Sequence, residues 1–258
     1  KLISNTQANF SLDTPNLQYF NSLLTKCLDH TVGLGQIIKN LKNEDDACYF
    51  ISSAHLLSRA QFEVYLMLIY LYFEKIDNDE KHLRFLVYEY AGICKRQEYK
   101  PTSEKLIKIY DTDTDDLKAK KEEILENLYY KSLGSKKRKD ILSGFSSKLQ
   151  SSTSLIKDSP FLKNEIFKKT WSLESNYAHS EYISAIQITH YLNNKLEAKG
   201  SLKLCLTSVS IVCGALCSDL HTYYSNYFPN QALTDYEFNT LEFYKGFATK
   251  DDPEFKPY

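Results

Sequence analysis

Two charged side chains stand one turn apart in an otherwise apolar stretch: Arg59 and Glu63, within SRAQFEVYLMLIYLYFEK at residues 58–75. A spacing of four puts both on one helix face, with His55 one turn earlier and Tyr70 two turns later in the same broad stripe. The flanking residues are apolar, so both charges are expected to be at least partly buried, where a charge must be paired or coordinated. The plain reading is an ion pair that fixes how neighbouring helices dock. The sharper one is a pocket in which Arg59 holds an anion and Glu63 orients it or acts as a base. A second stretch, SLESNYAHSEYIS at residues 172–184, falls where one helix should stop and the next begin, so side chains and free backbone N–H groups are available to a ligand. Ser175, Tyr177 and His179 are its candidates. Histidine is the side chain most readily tuned near neutral pH, which makes His179 the acid–base candidate with Glu63. Against this, a lone histidine at a helix junction is more often a cap or a satisfied core residue. The functional readings require Arg59, Glu63 and His179 to converge on a cleft.

Two weaker patterns accompany these. Cys213, Cys217 and His221 recur at i, i+4 and i+8 and offer thiolate and imidazole to zinc, but three ligands along one helix converge poorly, so no metal site is expected. The basic run Lys136, Lys137, Arg138 and Lys139, with Tyr129 and Tyr130 nearby, could grip phosphates and stack on bases, although such a run is usually solvated. The chain has no G-x-x-x-x-G-K-[ST], G-x-G-x-x-G, H-E-x-x-H or G-x-S-x-G motif. Common nucleotide hydrolases, dinucleotide oxidoreductases, zincins and α/β-hydrolases are thereby disfavoured, and no cofactor is expected.

The elements that must position these residues are helices. With only 8 Gly and 6 Pro in 258 residues, turns are few and elements should be long. Asp13-Thr14-Pro15 reads as a helix start, and apolar residues recur from Leu17 to Leu41, with a weak point at Gly33 and Gly35. Asn43 to Asp46 should cap a helix running from Ala47 to Lys75, and Asp77 to Glu80 a third from Lys81 to Gln97. Asp111 to Thr114 looks like the cap of a charged helix over residues 115–133. Gly134 to Ser159 reads as a loop or short helix. Pro160 restarts a helix that breaks around Ser175 to His179; another follows from Ser180 to Ala198. Gly200-Ser201 should turn the chain into a last helix ending near Tyr227. No strand pattern or solenoid repeat is evident. The expected fold is all-α: a single bundle of about seven main helices over residues 1–228, with an irregular tail at 229–258.

The chain is 43% hydrophobic and 25% charged with a net charge of −1, a soluble globular balance that does not suggest a dedicated polyanion binder. The six cysteines form no C-x-x-C pair and sit in apolar patterns, which suits buried thiols in an intracellular protein. No signal peptide is visible, and the uncharged apolar runs Val64–Phe73 and Leu204–Ser218 fall short of the ~20 residues of a spanning helix. Both read as core helices, and no membrane association is expected.

The stretches LLSRAQFEVYLMLIYLY (56–72) and SNYAHSEYIS (175–184) together resemble a group of bacterial all-helical proteins classed as a domain of unknown function. Its members tend to carry an Arg-x-x-x-Glu helix and a downstream Ser/Tyr-x-His segment. The resemblance spans roughly residues 45–200 and implies a helical bundle with a shared polar site at Arg59, Glu63 and His179. More distantly, the chain is similar to nucleotide-binding and ribonuclease bundles of bacterial toxin and defence systems, whose enzymes carry Arg and His close together on one helix. Here no histidine follows Arg59, Arg84, Arg96 or Arg138 at that separation, so such a pair would have to be rebuilt from Arg59 and His179. The leading expectation is an intracellular, cytoplasmic binding or regulatory module. Its ligand-binding residues would be Arg59, Tyr177, Ser175 and His55, receiving a small anionic ligand or a protein partner, with a homodimer among the candidates. The rival is a metal-independent enzyme acting on RNA or a nucleotide through His179 and Glu63. A third reading is a purely structural or oligomerising bundle.

Overall fold

The computed structural model describes residues 15–41, 46–158, 165–179, 181–227 and 239. Among them are ten α-helices and no strand: α1 (Pro15–Lys39), α2 (Ala47–Leu68), α3 (Asn78–Gln97), α4 (Glu104–Glu126), α5 (Leu128–Ser132), α6 (Ser135–Leu142), α7 (Ser152–Asp158), α8 (Glu165–Ala178), α9 (Tyr182–Asn193) and α10 (Lys195–Tyr227). The fold is all-α. The excess over seven comes from the short helices α5, α6 and α7. The Asp13-Thr14 start, the Asn43 cap and nearly all of the 229–258 tail lie outside the described residues.

The chain forms two compact units, one from residues 1–69 and 152–258, the other from residues 70–151. In the first, α2 is the hub and packs against α1, α8 and α10. Its turns carry apolar side chains on nearly every side, as a helix enclosed by neighbours must. Ile51, Ala54, Tyr65, Leu66 and Leu68 are all fully buried. Ile51 and Ala54 join Leu34 of α1, Tyr177 of α8, and Leu202, Cys205 and Val209 of α10 in one apolar cluster. Helix α1 continues unbroken through Gly33, where α2 comes close: a Cβ there would lie 3.3 Å from Leu57 Cδ1.

Helix α10 also runs straight through Gly200-Ser201, and the break falls earlier, at Asn194. From Lys195 to Tyr223 it is, by length and composition, the one described helix able to cross a membrane. The same composition suits a core helix, and its Leu202, Cys205, Val209, Val212, Leu216 and Leu220 are buried.

In the second unit α3 packs against α4 and α5. Asp77 caps α3 by accepting from the Glu80 N–H at 2.8 Å, and the acidic first turn and basic last turn complement the helix dipole. Arg84 of α3 is buried, and each of its nitrogens has a partner. Nε and Nη2 donate to Glu80 at 3.0 and 2.6 Å, Nη1 donates to the Tyr70 carbonyl at 2.8 Å and to Glu74, and the guanidinium lies 4.4 Å from the Tyr70 ring centroid. Tyr70 therefore serves Arg84 and not the Arg59 stripe; a π-helical turn over Ile69–Phe73 interrupts the helical register just there. Helix α4 passes unbroken through Asp111 to Thr114. Thr112 and Thr114 bond back to the Lys108 and Tyr110 carbonyls, and Asp113 holds Arg96 with two hydrogen bonds of 2.6 Å.

Candidate functional site

The polar residues of α2 are held against two helices of the first unit. Opposite them, α8 runs antiparallel: Arg59 lies over Trp171, Ser58 meets Glu174 and His55 meets Tyr177. Sequence numbers on the two helices thus run in opposite directions through the site.

At the outer end, Arg59 Nη2 and Glu63 Oε1 form an ion pair at 2.6 Å, with side chains 14% and 33% exposed. The Arg59 guanidinium carbon lies 4.2 Å from the centre of the Trp171 ring. Two donors here are buried without a hydrogen-bond partner, Arg59 Nη1 and the Trp171 indole Nε1. Burial lowers the Arg59 pKa, while Glu63 and Glu174 pull it back up. Ser152 of α7 reaches Glu63 Oε2 at 3.5 Å.

One turn deeper the cluster is sealed. Ser58 donates to Glu174 Oε1 at 2.5 Å. Burial pushes the Glu174 carboxyl up to about 7, against the Ser58 hydrogen bond and the nearby Arg59 charge, which lower it. The His55 ring is stacked on Tyr177, with centroids 4.1 Å apart, and both its nitrogens are engaged: Nε2 with Ser201 Oγ at 2.9 Å and Nδ1 with Cys205 Sγ at 3.3 Å, both from α10. Burial pulls the His55 pKa down to about 4, and raises the Cys205 thiol far above its usual range. His55, Glu174 and Cys205 are essentially inaccessible, at 0%, 2% and 0% exposure. They present one ligand atom each, all within 4.8 Å of one another, and among the described residues no other such group could hold a metal ion.

The sequence-predicted residues divide accordingly. Arg59 and Glu63 pair, and His55 and Tyr177 join them through the α2–α8 contact. Ser175 does not face the cluster with its hydroxyl, which bonds back to the Trp171 carbonyl at 2.8 Å. His179 is exposed in the turn after α8. It lies eight residues beyond Trp171, about 12 Å further along the chain at helical rise, towards the opposite end from Arg59. Its backbone N–H bonds to the Ser175 carbonyl.

The candidate zinc set Cys213, Cys217 and His221 does not assemble. Cys213 accepts from Gln61 Nε2 at 3.2 Å, within reach of Thr31, and Cys213 and Cys217 both interact with the buried Cys27 of α1. All six cysteines are free thiols. In the second unit, Lys136 and Lys137 line a shallow depression of about 730 Å³ with Gly134, Lys148 and Gln150. Tyr130, expected to stack on bases there, is only 4% exposed and belongs to the core.

Trp171, Glu174, Ser58, Ser201 and Cys205 were not singled out from sequence. Glu174 does lie inside the quoted SLESNYAHSEYIS stretch, and a carboxylate on an amphipathic face three residues from a tryptophan was the one available signal. Nothing in the spacing of Cys205 or Ser201 pointed to residue 55. No protein-family model, curated protein or solved structure matches the chain.

Proposed function

We propose that this chain is a helical binding or regulatory module whose polar site, built on α2 and α8, takes a small anionic ligand or an acidic group of a partner. The reading rests on the two unpartnered donors at its outer end. A buried N–H without an acceptor costs roughly 1–3 kcal/mol, so an acceptor bound at this end would relieve both donors at once. Arg84 supplies the contrast within the same chain. It too is stacked on an aromatic ring, yet each of its nitrogens has a protein acceptor, as a structural arginine requires. Arg59 has its ion pair with Glu63 and keeps Nη1 in reserve. An oxyanion accepting from Arg59 Nη1 and Trp171 Nε1 would satisfy both, with Glu63 holding the guanidinium in place.

Both functional readings were expected to need His179 beside Arg59; an exposed histidine about 12 Å further along belongs to neither, which leaves the enzyme reading without its acid–base group and the anion reading resting on Arg59 and Trp171 alone. A purely structural bundle should leave Arg59 fully satisfied, and its bare Nη1 does not favour that reading. The bacterial intracellular setting belongs to the same proposal, resting on the sequence resemblance and on six free thiols.

Trp171 is the only tryptophan in the chain, so intrinsic fluorescence reports on the site without labelling. Titration with inorganic phosphate, acetate and nucleoside monophosphates should give saturable changes in emission for at least one of them, abolished in Arg59→Met. A flat response to all three probes overturns the proposal.

A further inference from the structure

The deep end of the cluster has a chemistry of its own. Its three side chains come from three helices, His55 from α2, Glu174 from α8 and Cys205 from α10, and they are fixed from outside by residues that leave their inner atoms to converge. Ser201 holds His55 Nε2, which leaves Nδ1 facing Cys205; Tyr177 stacks on the ring and sets its plane; Ser58 holds Glu174 Oε1. Outer partners of this kind orient ligands in metal centres and raise their basicity.

We propose that His55 Nδ1, the Glu174 carboxylate and Cys205 Sγ bind one zinc-class divalent cation, with a water completing its coordination. The distances suit such an ion. Bond lengths of about 2.0 Å to nitrogen and 2.3 Å to sulfur at the tetrahedral angle give an N···S edge of about 3.5 Å, and His55 Nδ1 and Cys205 Sγ stand 3.3 Å apart. All three ligand atoms lie within 4.8 Å of one another. One imidazole, one thiolate and one carboxylate form a mixed N, S and O set that suits zinc better than the oxygen-seeking magnesium or calcium.

Binding requires the thiolate and carboxylate forms, whose charges a dication would neutralise together. On binding, the Cys205 S–H proton leaves to solvent as the sulfur–metal bond forms. Glu174 binds as its carboxylate, and His55 binds as neutral imidazole with its remaining proton on Nε2, donated to Ser201.

The site is independent of the anion reading at Arg59, and cobalt distinguishes them. The full chain, reduced and stripped with chelator, is titrated with Co²⁺ in place of zinc. Expected is one equivalent bound per chain, with a thiolate-to-cobalt charge-transfer band in the near ultraviolet and tetrahedral ligand-field bands in the visible, all bleached by Zn²⁺. Cys205→Ser should lose the charge-transfer band, and Cys213→Ser should keep it. Ser201→Ala, which touches no metal, should weaken binding about 10–100-fold. Arg59→Met should leave the cobalt spectrum in place even where phosphate binding is lost. A wild-type chain that gives no charge-transfer band overturns the proposal, whatever the folding of the variants, and so does a band that survives Cys205→Ser.

Discussion

Replacing Arg59 by methionine separates a binding arginine from a structural one. The side chain is 14% exposed and its partner Glu63 is 33% exposed, so the lost i,i+4 ion pair is worth only about 0.3–0.5 kcal/mol. Loss of the guanidinium over Trp171 removes a further ~0.5–2 kcal/mol, part of which the methionine sulfur recovers against the same ring. In the opposite direction, the substitution removes a buried Nη1 with no acceptor, a relief of roughly 1–3 kcal/mol. Glu63 is not stranded, because it is partly exposed and Ser152 lies 3.5 Å away. The opposing contributions nearly cancel, and Arg59→Met should change the unfolding free energy by no more than about 1 kcal/mol in either direction. Urea unfolding, followed by far-ultraviolet circular dichroism, measures this without relying on the perturbed tryptophan. Adding phosphate at about 100 times its dissociation constant should stabilise the wild type by about 2.7 kcal/mol and the variant not at all. A loss of more than about 3 kcal/mol in the variant is the contrary result, since it would mean that Arg59 is a fully engaged structural cation.

Three further outcomes follow from the geometry. Arg84→Met should cost about 2–4 kcal/mol by the same urea assay, because it strands Glu80 and Glu74 and uncaps the Tyr70 carbonyl; a change below 1 kcal/mol would count against the contrast drawn with Arg59. Gly144 has φ +68, and a Cβ there would lie 2.7 Å from Cys94 Cβ, so Gly144→Ala should lose about 2–4 kcal/mol, with an unchanged melting temperature as the contrary result. Burial raises the Asp219 carboxyl from 3.8 to about 6, although the Tyr65 hydroxyl donates to it at 2.7 Å. With the folded value above the unfolded one, its cost is absent below about pH 4 and complete above about pH 6, roughly 3 kcal/mol in all. Wild type should therefore lose stability relative to Asp219→Asn as pH rises from 4 to 7; a constant difference across that range would contradict it.

Helix content was legible because apolar periodicity and the scarcity of glycine and proline act over whole segments. Boundaries were less so, and for one recurring reason. Thr112 and Thr114 read as caps, but each hydroxyl can instead bond the carbonyl four residues back, and in this chain each does. Gly200-Ser201 failed as a turn signal because Ala198, Leu202 and Cys205 bury on the same face of α10, and that packing outweighs the cost of one glycine. Within the site, local spacing revealed what lies on one helix: Arg59 with Glu63, and His55 one turn away. It could not reveal the partners from α8 and α10. The emphasis on His179 over Glu174 came from general acid–base chemistry, whereas burial, decided by helix phase, selected the carboxylate.

The unit formed by residues 70–151 interrupts the other in sequence, and this has a consequence for biosynthesis. Chains generally begin folding as they emerge from the ribosome, N-terminal parts first. Here α2 leaves the tunnel with His55, Ser58 and Arg59 on it, while Trp171, Glu174, Ser201 and Cys205 are not yet translated. The inserted unit holds all of its own contacts within one continuous segment and can fold in the interval. The hub helix must meanwhile wait with α1 as its partner and its α8 and α10 faces uncovered, so the nascent chain is most open to chaperone capture or to mispairing in the span between completing the insertion and releasing α10.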